Sequence, residues 1–97
     1  LVPNVEPYSG FSPNGDGIND FWTIENASAY ENIIVQVFSR WGKKVFEQKR
    51  YDSDDADRRW DGTSSAGNPL PSGTYYYIID VREPGVSPLT GPITIVR

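Results

Sequence analysis

The chain reads as all-β, an antiparallel β-sandwich of about seven short strands. Three observations predict this. Short runs rich in β-branched and aromatic residues recur along it, each bounded by Gly, Pro, Asn or Asp. No segment carries apolar residues at i, i+3, i+4 and i+7 over the ~10–12 residues that a helix needs. Three Trp, six Tyr and four Phe among 97 residues supply the large side chains from which a small domain builds a core.

The elements follow in order. A first strand lies between Val2 and Phe11, where Pro3 and Pro7 remove backbone donors and confine it to a sheet edge. Residues 21–25, 33–39 and 44–48 form the next three. Between the last two, Arg40-Trp41-Gly42-Lys43 makes a hairpin tip in which Gly42 takes the left-handed conformation of a G1 bulge. Asn68 to Gly73 is a turn stiffened by Pro69 and Pro71. The strongest strand spans residues 74–81. Tyr75, Tyr77, Ile79 and Val81 share one face and point inward, whereas Tyr76 and Ile78 on the other face need partial cover, so the strand is central. Trp60 joins the same core, with its indole N–H on a carbonyl, and Val35 and Val37 reach it from the opposing sheet. The last strand, residues 92–96, opens on a proline without a donor and is read as an edge. This many short strands in about 100 residues gives an immunoglobulin-like sandwich.

Composition excludes several functions. One domain accounts for all 97 residues, well above the roughly 40 at which disulfides or metals become necessary for folding. With no Cys there are no disulfides or thiolate sites, and with no His the commonest general base and zinc ligand are missing. The net charge of −4 and a pI near 4.6 argue against nucleic acid as a partner, as does the scatter of the basic residues in short pairs. No apolar run approaches the ~18–20 residues that span a bilayer, so the chain is not membrane-spanning, and it is read as a monomer. The serines lie in turns without a histidine to activate them, and carboxylates on the loops of a small sandwich lack a walled cleft. The chain is therefore expected not to be an enzyme. It begins at Leu1 and contains no Met, as expected of a piece of a longer protein.

Two loops carry candidate chemistry. In FSPNGDGIND, from Phe11 to Asp20, Gly15 and Gly17 let the backbone draw together the side-chain oxygens of Asn14, Asp16, Asn19 and Asp20. Aligned on the EF-hand pattern, Ser12, Asn14, Asp16 and Gly17 fall at positions 1, 3, 5 and 6, but Thr23 stands where a bidentate Glu belongs. The loop is a calcium site or a turn in which Asn and Asp cap nearby N–H groups. The second loop, YDSDDAD, holds four Asp within six positions beside Lys49, Arg50, Arg58 and Arg59. It is a second cation site, or closes over the first from a neighbouring loop, or, as such runs more often are, is a solvated loop whose like charges are softened by those neighbours. Trp41, beside Arg40, is either an exposed anchor for a partner or packed back onto a strand.

The order of these pieces resembles a known family. FSPNGDGINDFW, VFSRWGKKVFE, WDGTSSAGNPLPSGTYYYIIDV and the closing GPITIVR are similar to the gliding-motility-associated C-terminal domain, the type B sorting domain of the type IX secretion system in Bacteroidota. The stretch from Trp60 to Tyr76 also resembles the Ig-like domain of the flagellar hook-capping protein. The family pattern carries over onto Pro13 to Asp20, Arg40-Trp41-Gly42, Trp60-Asp61-Gly62 and Gly73-Thr74-Tyr75-Tyr76, and departs in the acidic loop Asp52 to Asp57. The resemblance implies a non-catalytic address and anchor at the C-terminus of a large exported protein. The type IX translocon and an outer-membrane β-barrel of the PorP/SprF-like class are the implied partners, and the passenger is secreted or held at the cell surface. The expected contacts are Arg40 and Trp41, together with Ile93, Ile95 and Arg97 on a final edge strand open to strand addition. The alternative is an autonomous calcium-dependent adhesion or glycan-binding module on the same scaffold.

Overall fold

The computed structural model describes residues 4–15 and 20–97. Its strands are β1 (Glu6–Pro7), β2 (Gly10–Phe11), β3 (Ile24–Glu25), β4 (Ile34–Phe38), β5 (Lys44–Lys49), β6 (Gly73–Asp80) and β7 (Leu89–Ile95). A 3-10 turn, Ala27–Ala29, follows β3. They form two sheets, a β1–β3 pair and a five-stranded sheet ordered β2-β7-β6-β4-β5.

The first segment divides between the sheets. Glu6 and Pro7 pair antiparallel with Glu25 and Ile24, and the Tyr8 amide extends that ladder to the Thr23 carbonyl at 2.9 Å. The chain then crosses over, and the Thr94 and Val96 amides donate to the Ser9 and Phe11 carbonyls at 2.9 and 3.0 Å. β2 thus runs parallel to β7, an exception to the antiparallel pattern expected throughout.

β6 is central, between β4 and β7, as its two-sided sequence requires. Val35 lies opposite Ile79, Val37 opposite Tyr77 and Tyr75 opposite Ile93, so these residues share the inner face of one sheet. Val35 and Val37 therefore reach the core from beside Ile79 and Tyr77, not from an opposing sheet. The facing layer consists of β1, β3 and the loops carrying Trp22, Tyr51 and Trp60, all three fully buried. Trp60 is the core plug expected, edge-on to Tyr75 at 6.0 Å, with its indole N–H on the Thr63 carbonyl at 2.9 Å. In β5, Lys44 pairs with Phe38 and Phe46 with Val37, leaving Val45 as a bulge residue. Val45 and Phe46 can both turn inward there, and Phe46 packs 5.7 Å from Trp60.

The final strand differs from expectation. β7 begins at Leu89, not Pro92, and is interior, with β6 on one side and β2 on the other. Because Thr94 and Val96 donate toward β2, alternation puts the Pro92 nitrogen on the same side, just before β2 begins. The missing donor therefore breaks no ladder bond.

Candidate functional site

Of the features the sequence singled out, Arg40, Trp41 and Arg97 lie at one end of the large sheet. β4 turns away at Ser39, whose amide donates to the Lys43 carbonyl at 2.8 Å, and the Gly42 amide donates back to the Ser39 carbonyl at 2.9 Å. Gly42, at φ 83°, has the left-handed conformation expected of it. The turn lifts Trp41 into solvent at 83% exposure, and the Arg40 guanidinium lies 5.0 Å from its ring centre. Trp41 is therefore exposed and not packed back onto a strand.

The turn at residues 70–72 and the start of β6 stand across from this hairpin. Between these and the hairpin runs a groove of about 400 Å3, with Trp41 and Leu70 among its lining and the buried Val45 and Tyr75 at its base. The Tyr75 hydroxyl donates to the Pro71 carbonyl at 2.8 Å and fixes the turn against the strand. Burial raises the pKa of that phenol, so it stays protonated in this role.

Arg97 ties the same region together. Its backbone amide donates to Ser72 Oγ at 2.9 Å, its Nε to the Leu70 carbonyl at 2.5 Å and its Nη2 to the Gly62 carbonyl at 2.8 Å. Gly62, at φ 86°, has Arg97, Pro13 and Phe11 within 3.5 Å of where a Cβ would sit. The glycine of Trp60-Asp61-Gly62 is thus needed both for its backbone conformation and for close packing. Arg97, expected as a free contact, is instead a clip whose guanidinium is held on two carbonyls.

Ile93 and Ile95 do not belong to this surface. Both are buried, at 0% and 1% exposure, because they sit on the inner face of an interior strand. A partner could touch them only by unfolding the sheet, and the expected edge-strand contact is corrected accordingly.

The first loop is only partly described. Asp20 Oδ1 accepts the amides of Asn14 at 3.2 Å and Gly15 at 2.9 Å, closing a turn that draws the two ends of the loop together. Asp16 and Asn19 lie outside the described residues. Among the described residues, no group of three or more His, Cys, Asp or Glu is placed to hold a metal ion.

The acidic loop is built of self-capping turns. The Asp54 amide donates to Asp52 Oδ1 at 3.0 Å and the Asp57 amide to Asp55 Oδ1 at 2.9 Å. Arg58 Nε reaches Asp55 Oδ2 at 2.8 Å. The Asp57 amide first, and then Arg58, hold the Asp55 carboxyl below its usual range. Ser53 Oγ accepts the Ile24 amide at 2.9 Å and donates to the Ile24 carbonyl at 3.2 Å, which docks the loop on β3.

Sequence reasoning identified Arg40 and Trp41 but missed the groove. Lys43, Val45, Leu70 and Tyr75 converge only after β4, β5 and β6 have paired.

The chain is thus a two-sheet all-β domain with an exposed aromatic hairpin beside a groove. Residues 5–95 match the CHU_C type IX secretion signal domain, and the chain belongs to that family. Such a domain is a non-catalytic sorting module whose role is export to the cell surface or the medium. The chain is also 33% identical, over 92 residues, to part of a C5a peptidase of Streptococcus pyogenes, covering 76% of this chain and 8% of that protein. The C5a peptidase of the serotype M18 strain is 32% identical over the same shares. The chain thus spans about 8% of the length of these curated relatives, and the peptidase name describes those proteins as wholes.

Proposed function

We propose that residues 1–97 form one immunoglobulin-like sorting domain, recognised as a folded unit by the type IX translocon at the outer membrane. The passenger is then secreted or held at the cell surface on an outer-membrane β-barrel of the PorP/SprF-like class, as gliding-motility proteins would be. Trp41 carries the recognition part of this reading, because a Trp left 83% exposed on a hairpin tip, with an Arg guanidinium over its ring, suits an interface anchor. The family match over residues 5–95 supports the export role. Fusing residues 1–97 behind a signal peptide and a reporter, in a Bacteroidota host with a working type IX system, should bring the reporter to the surface. Retention in the periplasm would overturn the reading.

The Asn14–Asp20 loop is proposed to bind calcium. Asn14, Asp16, Asn19 and Asp20 are hard oxygen donors of the kind calcium takes, and the fold-back of Asp20 onto Asn14 and Gly15 brings both ends of that set together. Bound calcium would brace the loop that precedes the buried Trp22, and would serve the sorting domain without requiring an adhesive activity.

A further inference from the structure

We propose that the groove between the Trp41 hairpin and the turn at residues 70–72 takes an extended, acidic segment of a partner protein. The proposal rests on the sorting reading and names the chemistry recognised there.

Strand geometry supplies the extended form. β6 pairs with β4 only from Tyr76 to Asp80, because β4 ends at Phe38, while β6 itself begins at Gly73. On its other side β6 is paired with β7 from Gly73 onward. Tyr75 and Gly73 spend their backbone groups on Ile93 and Ile95 of β7, so alternation turns the N–H and C=O of Thr74 toward the groove, where the hairpin has turned away. An incoming extended segment can exchange backbone bonds with Thr74 and lay an apolar side chain between Trp41 and Leu70.

Charge supplies the acidic character. Among the described residues, Arg40 and Lys43 are the charged ones lining the groove, and no carboxylate lines it. Neither takes part in an ion pair among the described residues. The hollow at the opposite end of the sheet differs, since Lys49, Arg50 and Arg82 there share it with Glu31. A local cationic rim on a chain of net charge −4 favours carboxylates and rejects basic segments.

The test uses the reporter fusion. Trp41→Ala and Lys43→Glu should each cut surface display at least tenfold, while Trp41→Phe, Lys43→Arg and the distant Lys49→Glu display normally. Unchanged melting temperatures of the purified variants would show that the fold is intact. If the unmodified fusion is not exported, the sorting reading itself fails. If it is exported and Trp41→Ala and Lys43→Glu are too, the groove proposal is overturned and sorting stands. Equal losses for Lys43→Glu and Lys49→Glu would also overturn it, since net charge would then explain them. A photo-cross-linking p-benzoylphenylalanine in place of Trp41, in cells, should attach to a protein segment of net negative charge. Attachment to lipid or to a basic segment, or no attachment, would overturn the proposal.

Discussion

The backbone amide of Trp60 donates to the hydroxyl of Tyr51 at 2.9 Å, in the buried layer facing the large sheet. The same hydroxyl donates to the Trp22 carbonyl at 2.5 Å, and the Trp22 amide donates to the Trp60 carbonyl at 2.8 Å. One phenolic oxygen thus completes the pairing of two tryptophan-bearing loops that come from distant parts of the sequence. The indoles themselves meet edge-on at 6.2 Å.

Tyr51→Phe keeps the ring and removes that oxygen, leaving the Trp60 N–H and the Trp22 C=O unpaired in the core. Each unsatisfied buried group costs about 1–3 kcal/mol, so the melting temperature should fall by roughly 10–30 °C. A change below ~2 °C in thermal denaturation would show that water reaches the site.

Burial pushes the Tyr51 hydroxyl well above the ordinary phenol value. In the unfolded chain it ionises near pH ~10, whereas in the fold it stays protonated to higher pH. Its contribution is therefore complete below pH ~10 and lost as pH rises from there toward the folded value. Denaturant titrations from pH 8 to 11 should show stability falling in the parent and falling less steeply in Tyr51→Phe. Identical slopes would contradict the assignment.

The exposed and buried tryptophans should behave oppositely. Trp60→Ala removes a fully buried ring and should cost about 3–5 kcal/mol, enough to leave the domain unfolded or nearly so. Trp41→Ala should shift stability by no more than about 0.5 kcal/mol. Circular dichroism melts of the two variants check both.

Gly10 packs β2 against β7 so closely that an added Cβ would lie 2.8 Å from the Thr94 carbonyl oxygen, a backbone atom that cannot swing away. Gly10→Ala should cost about 1–3 kcal/mol. It should also speed hydrogen exchange at the Thr94 and Val96 amides, which bond to Ser9 and Phe11. Unchanged protection there would show that the strands separate without loss.

Calcium should raise the melting temperature and chelator should reverse the gain, with binding worth about 2.7 kcal/mol at a hundredfold excess over Kd. Asp16→Asn should abolish the response. If the parent melts identically in calcium and chelator, the loop is only the turn closed by Asp20.

The face each residue takes was legible in the sequence, because strand alternation and turn chemistry are local. Tyr75, Tyr77 and Ile79 could be turned inward from their spacing alone, and Gly42 could be placed in the hairpin from its freedom at positive φ. The burial of Trp60 and the family motifs were equally readable, since each lies in a contiguous run. Which strands become neighbours was settled only by tertiary pairing. Period-2 alternation is indifferent to the partner, so it could not place Val35 beside Ile79, seat β7 between β6 and β2, or bury Ile93 and Ile95. The same holds for Tyr51, read only as the start of an acidic loop, whose hydroxyl finds its partners 9 and 29 residues away. Contacts at that separation are chosen by how the whole chain closes, and the groove beside Trp41 is set by the same closure.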